Sequence, residues 1–92
     1  MQLPVEKCYI INYDLNKAKD YKSLFDAIES YGTYVKILES CWAITTTKSA
    51  IEVRDHLLSV MDSDDGILVV KSGYEAAWMN VECSNEWLQK KI

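Results

Sequence analysis

Glycine and proline are scarce in this 92-residue chain, three and one respectively, which excludes collagen-like and glycine/proline-rich low-complexity architectures. Histidine occurs once, at His56, so a histidine-built metal cluster or a Ser-His triad would have to recruit from a second chain. The three cysteines, Cys8, Cys41 and Cys83, are odd in number and lack C-x-x-C spacing, which speaks against both a disulfide framework and a zinc site. Cys8 and Cys41 lie in apolar runs, where a thiol behaves as a small buried hydrophobe. No stretch approaches the ~20 apolar residues of a membrane span. Met1-Gln2-Leu3-Pro4 lacks the basic start and apolar run of a signal peptide, so a cytoplasmic protein with no membrane partner is expected. Positive charge is short as well: ten Lys and Arg face fourteen Asp and Glu, net −4, with no basic run beyond Lys90-Lys91. Phosphate contacts supply most of the affinity of duplex binders, so tight duplex DNA is not an expected partner. Glycine-rich phosphate loops, H-E-x-x-H and G-x-S-x-G are all missing, and with them the usual kinase and hydrolase chemistry.

What is present is ordinary globular composition, 49% hydrophobic and 26% charged, in a length that allows a single domain. Lys7 to Asp14 alternates apolar residues on both faces, Tyr9, Ile11 and Tyr13 against Cys8 and Ile10, as a central strand would. Asp20 reads as a helix N-cap, and Tyr21, Leu24, Phe25, Ile28 and Tyr31 follow at helical spacing until Gly32. Thr33 to Leu38 and Cys41 to Thr46 form a hairpin across Glu39-Ser40; without Gly or Asn there, the turn is expected to be longer or bulged. Ser49-Ala50-Ile51-Glu52 is a capping box opening a second helix, with Ala50, Val53, Leu57, Val60 and Met61 on its buried face. Asp62 to Gly66 is a turn, and Ile67 to Lys71 an apolar strand. Residues 74–81 read as an edge strand or loop carrying Trp78, and Ser84 caps a last helix with Trp87, Leu88 and Ile92.

The order β-α-β-β-α-β predicts an α+β fold of the ferredoxin-like type, a core over about 7–72 and a tail over 73–92. Short right-handed crossovers place both helices on one face of a four-stranded antiparallel sheet. The other face then presents large apolar residues, which points to a homodimer through the sheet face or edge, with the tail as the rival cover.

Asn12, Asp14, Asn16 and Asp20 put four oxygen-bearing side chains around one strand-to-helix connection, the ligand type that Mg²⁺ takes; the competing reading has Asp14 and Asp20 capping backbone. Asp62, Asp64 and Asp65 lack the twelve-residue calcium pattern and read as a solvated turn. Arg54 falls beside the buried stripe of the second helix, suited to pair with Asp14 or Glu39 or to meet a phosphate. Lys17, Lys19, Arg54 and Lys36 are the cations that could gather at the rim of the first strand, enough for a mononucleotide or short oligonucleotide. Trp42, Trp78 and Trp87 serve either core and interface packing or base stacking.

The run Tyr9-Ile10-Ile11-Asn12-Tyr13-Asp14-Leu15-Asn16-Lys17, then Asp20-Tyr21, Ser40-Cys41-Trp42, Ala50 through Arg54-Asp55, Ala76-Ala77-Trp78 and Cys83-Ser84 before Trp87-Leu88, resembles small bacterial and phage proteins labelled SinR-family. More distantly the chain is similar to the small CRISPR adaptation subunit and to VapD-type ribonucleases, which share a ferredoxin-like fold, a dimer and a Tyr-Asp ending the first strand. The resemblance implies that Asp14 corresponds to their metal-linked aspartate and that Ser40 and Trp42 fall near their hairpin motif. The chain departs from them in having Lys17, Lys19 and Asp20 where they carry arginines, and in its acidity. Two expectations follow. The first is a non-catalytic homodimeric binding or scaffold protein of host–phage defence, without a cofactor, taking a protein or small nucleotide ligand through Asn16, Lys17, Ser40, Trp42, Arg54 and Trp78. The alternative is a Mg²⁺-dependent nuclease with Asp14 as metal ligand.

Overall fold

The computed structural model describes residues 5–17, 21–73 and 75–92, so the expected roles of Asp20, Lys19 and Tyr74 lie outside the described residues. The chain order is β1 (Lys7–Asp14), α1 (Lys22–Glu29), β2 (Tyr34–Leu38), β3 (Cys41–Thr46), α2 (Ala50–Leu58), β4 (Gly66–Lys71) and α3 (Asn85–Lys91). The four strands form one sheet in the order β2-β3-β1-β4, every neighbouring pair antiparallel, which makes the fold α+β. β1 is central because its two apolar faces both find cover, and β4 is an edge.

One face of the sheet carries the helices. Tyr9, Ile11 and Tyr13 of β1 cluster with Trp42 and Ile44 of β3, Leu24, Ala27 and Ile28 of α1, and Val53 and Leu57 of α2. Local chemistry sets the helix ends. Ser49 Oγ accepts from the Glu52 N–H while Glu52 Oε1 accepts from the Ser49 N–H, two orphan donors satisfied reciprocally. α1 starts less well: its N-cap position is Tyr21, which makes no side-chain cap. Its end follows the expectation, with Gly32 at φ 86°, a conformation that costs a residue without a Cβ nothing. The hairpin turns through Glu39-Ser40, and a register shift between Lys36 and Leu38 supplies the bulge that the missing glycine requires. The bulge turns both Ile37 and Leu38 toward the second face.

That second face is not bare. Cys8 and Ala43 are buried there with Ile37 and Leu88, and Ile10, Val35, Cys41, Trp78, Val81, Cys83, Trp87 and Ile92 pack around them. Residues 75–92 therefore supply the cover for which a second subunit was the favoured expectation. The tail leaves β4 with a bond from the Ser72 N–H to the Cys8 carbonyl, crosses the sheet, and is tied to the opposite edge where the Glu82 N–H donates to the Ile37 carbonyl at 2.8 Å. No strand forms between 75 and 81. Ser84 caps α3 by accepting from the Trp87 N–H. A cavity of about 370 Å³ remains between tail and sheet, lined mostly by apolar side chains including Ile10, Leu38, Trp78, Met79 and Leu88. Cover is thinnest over β4, where Leu68 and Val70 stay 56% and 45% exposed. Among the described residues no helix is long and apolar enough to cross a membrane.

Candidate functional site

Asp14 closes β1 opposite Gly66, with its side chain exposed on the same face as Asn12. Beside it lies a shallow depression of about 310 Å³ bordered by Asn12, Asp14, Gly66 and Leu68. Among the described residues Asp14 is the sole carboxylate in that lining. The backbone it was expected to cap is held by another acid. Asp65 Oδ1 accepts from the Asn16 N–H at 2.9 Å and from the Tyr21 hydroxyl at 3.2 Å, while its Oδ2 accepts from the Asp62 N–H at 2.9 Å. The Asn16 side-chain amide donates to the Asp64 carbonyl, so Asn16 turns away from Asp14 and toward this turn. The four-oxygen set around Asp14 therefore does not assemble from Asn12, Asp14 and Asn16, and Asp20 lies outside the described residues.

Asp62, Asp64 and Asp65 each offer an oxygen within 4.8 Å of the others, the ligand type of a hard cation. Lys17 reaches into the group, its ammonium 3.6 Å from Asp62 and 3.5 Å from Asp64. Those two carboxylates raise the Lys17 pKa above its ordinary value. With Lys17 on two of the acids and Asp65 committed to the turn, the cluster works as a latch between the β1 exit and the β4 entry. Asp65 was the residue sequence reasoning undervalued: its partners at 16 and 21 lie far away in the chain. The one local sign was an aspartate directly before a strand-opening glycine.

The remaining expected cations do not converge on the rim. Arg54 is exposed and forks onto its neighbour, with Nε and Nη2 donating to Asp55 Oδ1 at 3.0 and 2.9 Å. That corrects the expected pairing with Asp14 or Glu39: an adjacent carboxylate on the solvent side of α2 is reached without crossing the helix layer. Lys36 stands 3.8 Å from Glu39 at the hairpin, and Lys19 is outside the described residues. Each described cation of the set is thus matched by an acid of its own neighbourhood.

The tryptophans divide between the two faces. Trp42 is buried under α1, stacks against Phe25 at 6.0 Å between ring centroids, and donates from Nε1 to the Tyr13 hydroxyl at 2.9 Å. Burial pushes the Tyr13 phenol up; the Trp42 bond pulls the other way, and Glu39 and Cys41 add to the rise. Trp78 is half-buried in the tail, with Nε1 donating to Asn85 Oδ1 at 3.0 Å. Trp42 and Trp78 therefore cannot stack on one ligand from the same surface. Ser40 contributes its carbonyl, which accepts from the Tyr13 N–H at 3.1 Å across the hairpin end.

No protein-family model matches this chain, and no solved structure matches it. Two further sets of polar side chains lie away from the β1 rim. His56 Nδ1 and the Tyr31 hydroxyl share a hydrogen bond of 2.8 Å, beside Lys48 and Glu52 in a shallow cleft between α1 and α2. The thiols are free, and burial raises the pKa of Cys8 and of Cys41, the latter also through its neighbour Cys83. A thiol held protonated is a poor nucleophile.

Proposed function

We propose that this chain is a homodimeric binding or scaffold protein that performs no chemistry of its own, on a ferredoxin-like frame. The split order, in which β3 separates β1 from the parallel β2 and β4 flanks β1, supports that reading of the fold. The observation that carries the functional reading is the disposition of the carboxylates. The acids that stand together are engaged by Lys17, Asn16 and Tyr21, while among the described residues Asp14 faces its depression with no second acid. General acid–base or two-metal chemistry needs partnered groups within reach of one reacting atom. The setting in host–phage defence rests on the sequence resemblance alone, carried by the Tyr9–Lys17 run and the motifs that follow it through Trp87-Leu88.

The exposed Asp14 beside its depression favours one rival, a nuclease in which two subunits each lend Asp14 to a shared Mg²⁺. Incubating the full chain with single-stranded and duplex RNA and DNA, with Mg²⁺ or Mn²⁺, separates the two. The binding reading expects no cleavage above that of an Asp14→Ala control. Metal-dependent cleavage that disappears in Asp14→Ala would overturn it.

A further inference from the structure

Among the described residues β4 is an edge strand with an open outer side: its backbone pairs only with β1, and the tail leaves toward the other edge of the sheet. Exposed apolar side chains stand at this edge on both faces. Leu68 and Val70 are exposed on the tail-covered face. On the helix face, α2 packs over the sheet with Val53 and Leu57 and turns His56 toward Tyr31 at the end of α1. At about 100° per residue, Arg54 and Leu58 then fall on the side of α2 away from α1, above the β4 edge. Leu58 is 41% exposed. An open apolar edge strand is a template for another strand, and proteins that remain monomeric blunt such edges with charge, proline or bulges. Gly66–Lys71 has none of these before its last residue.

Resting on the dimer reading above, we infer that the occupant is a second copy of this chain, paired antiparallel β4 to β4 about a two-fold axis at Leu68. An axis normal to the sheet keeps each residue on its own face, so it must pass through a residue rather than between two. Centring it on Leu68 sets Leu68 against the partner's Leu68 and Val70 against the partner's Gly66. Gly66 has no side chain, and its floor is part of the shallow depression beside Asp14, which the facing valine enters. The same register brings Lys71 to the end of the partner's strand that follows Asp62, Asp64 and Asp65, so unlike charges meet at both ends of the seam. Knob, hollow and charge agree on one alignment.

The pairing has a consequence for Asp14. Four strands, β1, β4, β4 and β1, then lie side by side at about 4.8 Å spacing, with the two Asp14 positions about four residues apart along the strands. That separates the two aspartates by about 20 Å. A shared ion and this seam exclude one another.

Sedimentation velocity of the full chain, followed by oxidation of a Leu68→Cys variant, tests the idea. At the axis the two Cα atoms stand about 4.5–5.5 Å apart, inside the window for a disulfide. In a Val70→Cys variant they stand about 14 Å apart, outside it. The expected result is a dimer, a rapid intermolecular crosslink in Leu68→Cys and none in Val70→Cys or the parent chain. Leu68→Arg, which sets two like charges face to face, raises the dimer dissociation constant about a hundredfold or more. Leu68 is exposed, so the monomer keeps its melting temperature. A parent chain that stays monomeric at 100 μM (an experimental setting, about a hundredfold above a 1 μM dissociation constant) overturns both the dimer and the seam. A dimer that neither crosslinks at Leu68→Cys nor responds to Leu68→Arg overturns the seam alone.

Discussion

Replacing Leu88 with Ala removes the side chain that seats the tail on the sheet. Leu88 is 1% exposed and meets Cys8, Ile37 and Ala43. Large-to-small changes of this kind cost about 2–5 kcal/mol, according to how far the site can collapse. Here collapse is assisted: Leu88 already lines a cavity of about 370 Å³, and the segment above it is irregular. The lower half of the range follows, about 2–3 kcal/mol. For a domain of this size that is a fall in melting temperature of roughly 10–20 °C. Total stability of about 5–14 kcal/mol leaves the variant folded at 25 °C. Urea and thermal unfolding followed by tryptophan fluorescence measure the change directly. Leu88→Met, which conserves volume, costs under about 1.5 kcal/mol. A Leu88→Ala cost below about 1 kcal/mol would refute the reasoning, since it means that residues 75–92 do not cover the second face.

Three further outcomes are expected. Asp65→Ala, which strips acceptors from Asn16, Tyr21 and the Asp62 N–H, costs about 1–3 kcal/mol by chemical denaturation, whereas exposed Asp14→Ala stays within about 0.5 kcal/mol; equal costs would remove Asp65 from the latch. The Glu52 carboxyl is held below its ordinary 4.5 by its bonds from Ser49, so its contribution is present above that value and is lost as pH falls through the lowered one. Glu52→Gln should flatten this acid limb in pH-dependent unfolding, and an unchanged profile counts against the capping box. Duplex DNA should bind no tighter than about 10 μM at physiological salt, because the described rim cations are already paired and the net charge is −4; a submicromolar fluorescence titration with a steep salt slope would contradict this.

Legibility followed range along the chain. Ser49 and Glu52 are three residues apart, and their capping box could be read from the letters because its geometry is local. Gly32 and the bulged hairpin were legible for the same reason. The latch was not: Asp65 meets Asn16 at a separation of 49 residues, and no periodicity encodes such a meeting. Arg54 was matched to distant acids although Asp55 stood beside it, because helical spacing reports which face a residue occupies and not where a flexible guanidinium comes to rest. The alternation in β1 announced two covered faces but carried no mark of what would cover the second. Both candidate covers, tail and partner, satisfy the same pattern, and the tail takes most of the face while β4 is left with its edge.

The tail also decides what a partial opening of the molecule exposes. Bonds from the Ser72 N–H to the Cys8 carbonyl and from the Glu82 N–H to the Ile37 carbonyl hold residues 75–92 across a face that neither α1 nor α2 covers. Fraying of this segment alone uncovers Ile10, Val35, Ile37 and Ala43 while the helices stay packed on the opposite face. Such a chain keeps its sheet and gains an apolar face, the kind of surface from which aggregation starts.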